Sequence, residues 1–215
     1  MTDGHNFAAA NAREAQETLL VKIEAAADAG VDWIQIREKD ISGKDCSSLT
    51  REALHRAAKS SARKTAPTRI LVNDRLDVAI SQSAGGVHLG ENSLPLVEVK
   101  RLVENRGNRK DFLIGVSCHS LEAARAAASR GADYLFFGPI FATPSKAAFG
   151  APQGLERLAQ VCRAVSIPVL AIGGITLENA ADCLAAGASG IAAIRLFQDS
   201  QDMASLVQSL RMLTG

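Results

Sequence analysis

A chain of 215 residues, 47% apolar and 22% charged, is long enough for one large domain or two small ones and can bury a sizeable core. A net charge of +1 gives no global attraction to nucleic acid or to an anionic membrane, and neither is expected as a partner. No apolar run approaches the roughly 18 residues that span a bilayer, and Met1-Thr2-Asp3-Gly4-His5 lacks the features of a signal peptide, so a cytoplasmic protein is expected.

In chain order, apolar runs alternate with helical patterns. Strands are expected at Trp33–Arg37, Arg69–Asn73, Gly86–His88, Leu113–Ser117, Tyr134–Gly138, Val169–Ile172 and Gly190–Ile194. Helices are expected at Ala12–Ala29, Cys46–Lys64, Val78–Ser83, Leu94–Val103, Leu121–Ser129, Leu155–Val165, Leu177–Ala186 and Asp202–Leu213. Ser120-Leu121-Glu122 and Thr176-Leu177-Glu178 set a hydroxyl ahead of an acidic first turn, a helix start. Gly30, Gly131 and Gly187 stand where helices give way to strands. The strand candidates are almost continuously apolar, as in a parallel sheet covered on both faces. Cys46, Cys118, Cys162 and Cys183 form no Cys-x-x-Cys pair and read as free thiols of a reducing compartment.

Two architectures suit this alternation, a doubly wound sheet and a (β/α)8 TIM barrel. No Gly-x-Gly-x-x-Gly fingerprint follows an early strand, which disfavours the dinucleotide-binding version of the first. Polar or glycine residues recur at strand C-termini, namely Arg37, Asn73, His88, Ser117, Gly138 and Gly173. A barrel with its site on the top face requires such a ring. The expectation is one α/β domain over 1–215, a (β/α)8 TIM barrel. Eight helix patterns accompany only seven strands, so the first strand is expected to be missing or truncated at the N-terminus, with weak closure there.

Chemistry concentrates at the strand exits. In Gln35-Ile36-Arg37-Glu38-Lys39, residues two apart share a face, so Gln35, Arg37 and Lys39 oppose Ile34 and Ile36. An amide, a guanidinium and an ammonium together suit a phosphorylated ligand. Asp74, in Asn73-Asp74-Arg75, reads either as a hard-oxygen magnesium ligand or as a helix cap. Thr143, Ser145 and Lys146 form either an anion-binding loop or an ordinary solvated one. Gly173-Gly174 allows a phosphate to approach backbone N–H groups, or simply makes a tight turn. His119 is either an acid/base near neutral pH or a structural hydrogen-bonding residue. For His88, in Gly86-Val87-His88-Leu89-Gly90, packing is the safer reading.

Taken together, Gln35–Lys39, Val72–Arg75, Gly85–Gly90, Gly115–Ala124, Gly131–Lys146 and Pro168–Ile175 resemble, in order, the thiamine-phosphate synthase family and its relative the thiazole tautomerase. The resemblance implies a (β/α)8 barrel that joins a pyrimidine methyl diphosphate to a thiazole phosphate, releasing pyrophosphate, with Mg2+ as cofactor. It implies that Gln35, Arg37, Lys39, Asn73, Ser117 and Lys146 hold the pyrimidine diphosphate. Thr143, Ser145, Gly173 and Gly174 hold the thiazole phosphate, Gln153 falls at a family site glutamine, and Asp74 is a metal ligand. Arg37, Lys39 and Lys146 would stabilise the leaving group. Three departures stand out: Ser93 where the synthases carry a second metal aspartate, Arg195 where the last strand carries a serine, and the absent first strand. Arg195 either pairs with the phosphate or faces outward. The leading reading is a transferase making thiamine phosphate. The alternatives are the tautomerase, an isomerase with His119 as acid/base, and a non-catalytic degenerate barrel that binds a thiamine precursor. A homodimer is compatible with the chain.

Overall fold

The computed structural model describes residues 1–2, 11–59, 67–106, 111–143 and 151–213. Its strands are β1 (Trp33–Ile36), β2 (Arg69–Asn73), β3 (Gly86–Leu89), β4 (Leu113–Cys118), β5 (Tyr134–Phe137), β6 (Val169–Ile172) and β7 (Gly190–Ala192). They form one sheet in the order β1 to β7, and every neighbouring pair is parallel. The helices are α1 (Ala12–Asp28), α2 (Gly43–Lys59), α3 (Leu76–Ser81), α4 (Leu96–Glu104), α5 (Leu121–Ser129), α6 (Gly154–Ala164), α7 (Leu177–Ala185), α8 (Arg195–Gln198) and α9 (Met203–Met212). Strictly sequential parallel pairing with a helix in each crossover is the wiring of a TIM-like barrel.

The strand and helix expectations hold to within a few residues. The α2 expectation ends at Lys64, inside a stretch outside the described residues, and the last-strand expectation ran too far. β7 stops at Ala192, and Arg195 opens the four-residue α8 instead of ending a strand. Ser120 Oγ accepts from Ala123 N–H at 3.1 Å, and Asn179 Oδ1 accepts from Thr176 N–H at 2.8 Å, so both helix starts are tied down.

Alternation along the strands sorts the core. On β1, Ile34 and Ile36 pack outward against Leu19, Leu20 and Ile23 of α1 and Leu49 and Ala53 of α2. Inside, Leu71, Tyr134, Phe136 and Ala192 pack with Trp33 and Leu170. The Trp33 and Tyr134 rings lie 4.8 Å apart although β1 and β5 are four strands apart in the sheet order, so the sheet is curled. Gly115 makes room for this interior: a Cβ there would lie 2.0 Å from the Tyr134 ring.

Among the described residues there are seven strands, and β1 and β7 are the two ends of the order. Met1 and Thr2 lie between them. Thr2 N–H donates to the Gln35 carbonyl at 2.8 Å, and the Met1 amino group reaches the Ala193 carbonyl at 3.4 Å. Below these two residues runs an apolar cleft of about 420 Å³, lined by α1, α9 and the β1 and β7 edges, and reaching Leu71 and Phe136.

Candidate active site at the strand C-termini

Polar residues of β1 to β5 and of the loops after β2 and β3 form two hydrogen-bonded lines. In the first, Gln35 is 3% exposed and its Nε2 donates to Asn73 Oδ1 at 2.8 Å. Asn73 Nδ2 donates in turn to Asp74 Oδ2 at 2.7 Å. The other Asp74 oxygen accepts from Ser93 Oγ, and Ser93 Oγ accepts from Gly90 N–H at 2.6 Å. Asp74 holds a left-handed backbone, φ 60°, with its N–H donating to the His88 carbonyl at 2.9 Å. Such a φ is uncommon outside glycine and costs of order 1–3 kcal/mol, which the surrounding bonds sustain. Asp74 therefore does not cap α3, whose N-cap is Arg75. Gln35 Oε1 is buried and has no hydrogen-bond partner, an acceptor left open beside the line.

The second line is Tyr134, His88 and Ser117. His88 is 1% exposed; its Nδ1 lies 3.0 Å from Tyr134 Oη and its Nε2 lies 2.8 Å from Ser117 Oγ. Burial, helped by the charge of Arg37, lowers the His88 pKa to about 3, so the ring is neutral. Arg37 thus stands close enough to be felt inside the barrel mouth. It is half-buried, whereas Lys39 is exposed and lies past the end of β1. The alternation that places Gln35 inward does not extend to Lys39.

The rim is built from the later loops. His119 Nδ1 bonds the Gly138 carbonyl, and its Nε2 lies 3.9 Å from Glu91 Oε1, so His119 bridges the loops after β3, β4 and β5. Ile140 N–H donates to the Ile172 carbonyl and Phe141 N–H to the Gly173 carbonyl, which lays the β5 exit along the β6 exit. Gly174 has φ 68°, and a Cβ there would meet the Ala142 carbonyl at 2.7 Å, so this close approach requires glycine. Thr143 is half-buried on this strip, while Ser145 and Lys146 lie outside the described residues. Gln153 is half-buried at the N-cap of α6, with its Oε1 accepting from Arg157 at 3.0 Å. Arg195 is exposed.

Among the described residues no three His, Cys, Asp or Glu side chains gather as a metal-binding group. Asp74 with the Ser93 hydroxyl offers one carboxylate and one neutral oxygen. That donor set fits magnesium, which retains waters and takes its other ligands from substrate phosphates. Residues the sequence reading passed over are Tyr134, the partner of His88, and Thr2, whose hydroxyl donates to Glu38 Oε1 at 2.6 Å and accepts from Arg37 N–H at 2.9 Å. Tyr134 sits in an apolar run, where nothing marks its hydroxyl as a partner of a residue 46 positions away.

A sequential parallel sheet with its polar groups gathered at the strand C-termini defines a TIM-like barrel protein with a candidate site on the top face. More narrowly, the chain belongs to the thiamine monophosphate synthase family, whose profile matches residues 7–197. It is 44% identical over 186 residues to the thiamine-phosphate synthase of Methanoculleus marisnigri, covering 86% of this chain and 83% of that one. It is 41% identical over 194 residues to that of Chloroflexus aurantiacus, covering 90% and 84%. Among solved structures it resembles the thiamine phosphate pyrophosphorylase of Pyrococcus furiosus, with a TM-score of 0.79 at 29% identity, over 99% of this chain and 92% of that one. A 3-hexulose-6-phosphate synthase, 14% identical with a TM-score of 0.68, shares the fold.

Proposed function

We propose that the protein is a thiamine-phosphate synthase, a transferase that joins a pyrimidine methyl diphosphate to a thiazole phosphate and releases pyrophosphate. One observation carries the reading: in a member of the thiamine monophosphate synthase family, the bonded line Gln35–Asn73–Asp74–Ser93 crosses the barrel mouth beside Arg37. A buried amide acceptor, a carboxylate and a guanidinium suit a ligand with a polar ring at one end and a diphosphate at the other.

In this reading Gln35, Asn73 and Ser117 hold the pyrimidine end. Arg37, Lys39 and Lys146 meet the diphosphate, and Asp74 holds Mg2+. Thr143, Ser145, Gly173 and Gly174 hold the thiazole phosphate, with Gln153 and Arg195 at its border. The pyrimidine carbon–oxygen bond breaks with its electron pair leaving on pyrophosphate, and the thiazole nitrogen lone pair forms the new bond to that carbon. The cationic side chains stabilise the charge that gathers on the leaving group, an effect largest in a site closed to water. Magnesium, when bound, supplies Lewis-acid neutralisation of the same charge. Orientation of the two substrates supplies the rest.

Architecturally, we read the molecule as a single-domain (β/α)8 barrel over 1–215 whose first-strand position is met at its top by Met1–Thr2. A cytoplasmic setting and a homodimer accord with the reading. No helix among the described residues is long and apolar enough to cross a membrane.

The test is to incubate the pure protein with both phosphorylated substrates over a broad magnesium range and measure pyrophosphate and thiamine phosphate. Equimolar appearance of both is expected, and their absence throughout overturns the proposal. A thiazole-isomer assay on the same sample would then decide for the isomerase, and binding without turnover for a binding protein.

A further inference from the structure

The buried line Tyr134–His88–Ser117 has a direction that its distances alone do not give. A neutral imidazole carries one N–H, and which nitrogen holds it follows from the needs of the neighbours. Tyr134 is fully buried, and among the described residues its hydroxyl has one hydrogen-bond partner, His88 Nδ1 at 3.0 Å. If Nδ1 carried the proton, the tyrosine hydrogen would be buried with no acceptor, which is among the costlier defects of a protein interior. Ser117 is under no such constraint. It is half-buried at the C-terminal end of β4, where its hydrogen can turn to the site. The ring is further fixed by the aromatic faces around it, with Phe136 at 4.2 Å and Tyr134 at 5.5 Å between centroids.

We propose that Tyr134 and His88 are positioning residues that leave the Ser117 hydroxyl free to donate its hydrogen bond to the ligand. Tyr134 O–H donates to His88 Nδ1, His88 Nε2–H donates to Ser117 Oγ at 2.8 Å, and the Ser117 proton is left for the site. The ligand atom that takes the Ser117 proton is therefore a lone-pair acceptor, a ring nitrogen or a phosphate oxygen. The role of Ser117 in substrate binding rests on the function proposed above, whereas the direction of the line does not.

Two measurements separate these layers. In protein labelled with 15N-histidine, long-range proton–nitrogen correlation spectra are expected to show His88 as the pure Nε2–H tautomer, unchanged from about pH 8 to about pH 5.5. In Tyr134→Phe, which removes the buried donor and keeps the ring, the tautomers are expected to mix. A wild-type Nδ1–H tautomer, or one unaltered by Tyr134→Phe, overturns the proposal. In steady-state kinetics, Tyr134→Phe is expected to raise KM for the diphosphate substrate about five-fold, the size of one hydrogen bond, with kcat within about two-fold. Adding Ser117→Ala to Tyr134→Phe should then cost less than Ser117→Ala alone costs the wild type; full additivity overturns the coupling. If Ser117→Ala leaves KM unchanged, the substrate-binding role fails, and the spectra still judge the direction.

Discussion

Neutral His88, protonated Cys118 and the half-buried guanidinium of Arg37 mark how far single residues around one mouth diverge in chemistry. Burial, and secondarily Glu91, raises the Cys118 thiol to about 11, so it is neither an anion nor a nucleophile at neutral pH. Cys118→Ala should keep kcat/KM within about two-fold, whereas Lys146→Ala should lower it about 100-fold by removing a charge from the leaving group. Initial-rate measurements on the two variants check this, and equal activities would show the diphosphate misplaced. His88 sets a pH limit on stability. Its folded pKa of about 3 lies below the unfolded value near 6.5, so the unfolded chain binds more protons between those values. The stabilisation is complete above pH 6.5 and is lost as pH falls toward 3, about 3 kcal/mol by pH 4. Urea titrations across this range should show that His88→Gln removes that part of the slope.

At the scale of elements, the strands are held in register by what glycine leaves out. Gly115 of β4 faces the Tyr134 ring of β5, and a Cβ would lie 2.0 Å from it. Tyr134 is fully buried and has nowhere to move, so Gly115→Ala should cost about 1–3 kcal/mol by overpacking, measured as a shift in the denaturant midpoint. Strands and helices were legible because apolar runs, hydroxyl caps and Gly30, Gly131 and Gly187 mark boundaries locally. The end of the last strand was not, because Ile194 and Leu196 extend the apolar run while the chain has already turned into α8. The candidate site was legible where polarity interrupts a strand, as at Gln35, Asn73 and Ser117. Partnerships were not, because a hydroxyl within an apolar strand, like Tyr134, and a serine in a loop, like Ser93, acquire meaning only from residues far along the chain.

For the whole molecule, the unequal support of the strands predicts unequal motion. Arg69 N–H donates to the Asp32 carbonyl and Ser189 N–H to the Val169 carbonyl. Ladder alternation then turns the amides of Trp33 and Gln35, and of Gly190 and Ala192, towards the cleft between β1 and β7. Those four should exchange hydrogen faster than the amides of β4, which has a strand on each side, in a residue-resolved exchange experiment. At the foot of the cleft Arg211 bonds Asp32 at 2.6 Å; both side chains are about half exposed, so this brace adds little. Trp33 and Tyr134, whose rings meet across the barrel at 4.8 Å, are the one tryptophan and the one tyrosine of the chain. At that separation tyrosine passes its excitation to tryptophan, so the folded protein should be dark in the tyrosine band and bright in the tryptophan band. Unfolding should restore tyrosine emission, and a ligand settling above Gln35 should alter the tryptophan signal. The unmodified chain thus carries its own optical pair, one dye on β1 beside the cleft and the other at the root of the line to Ser117.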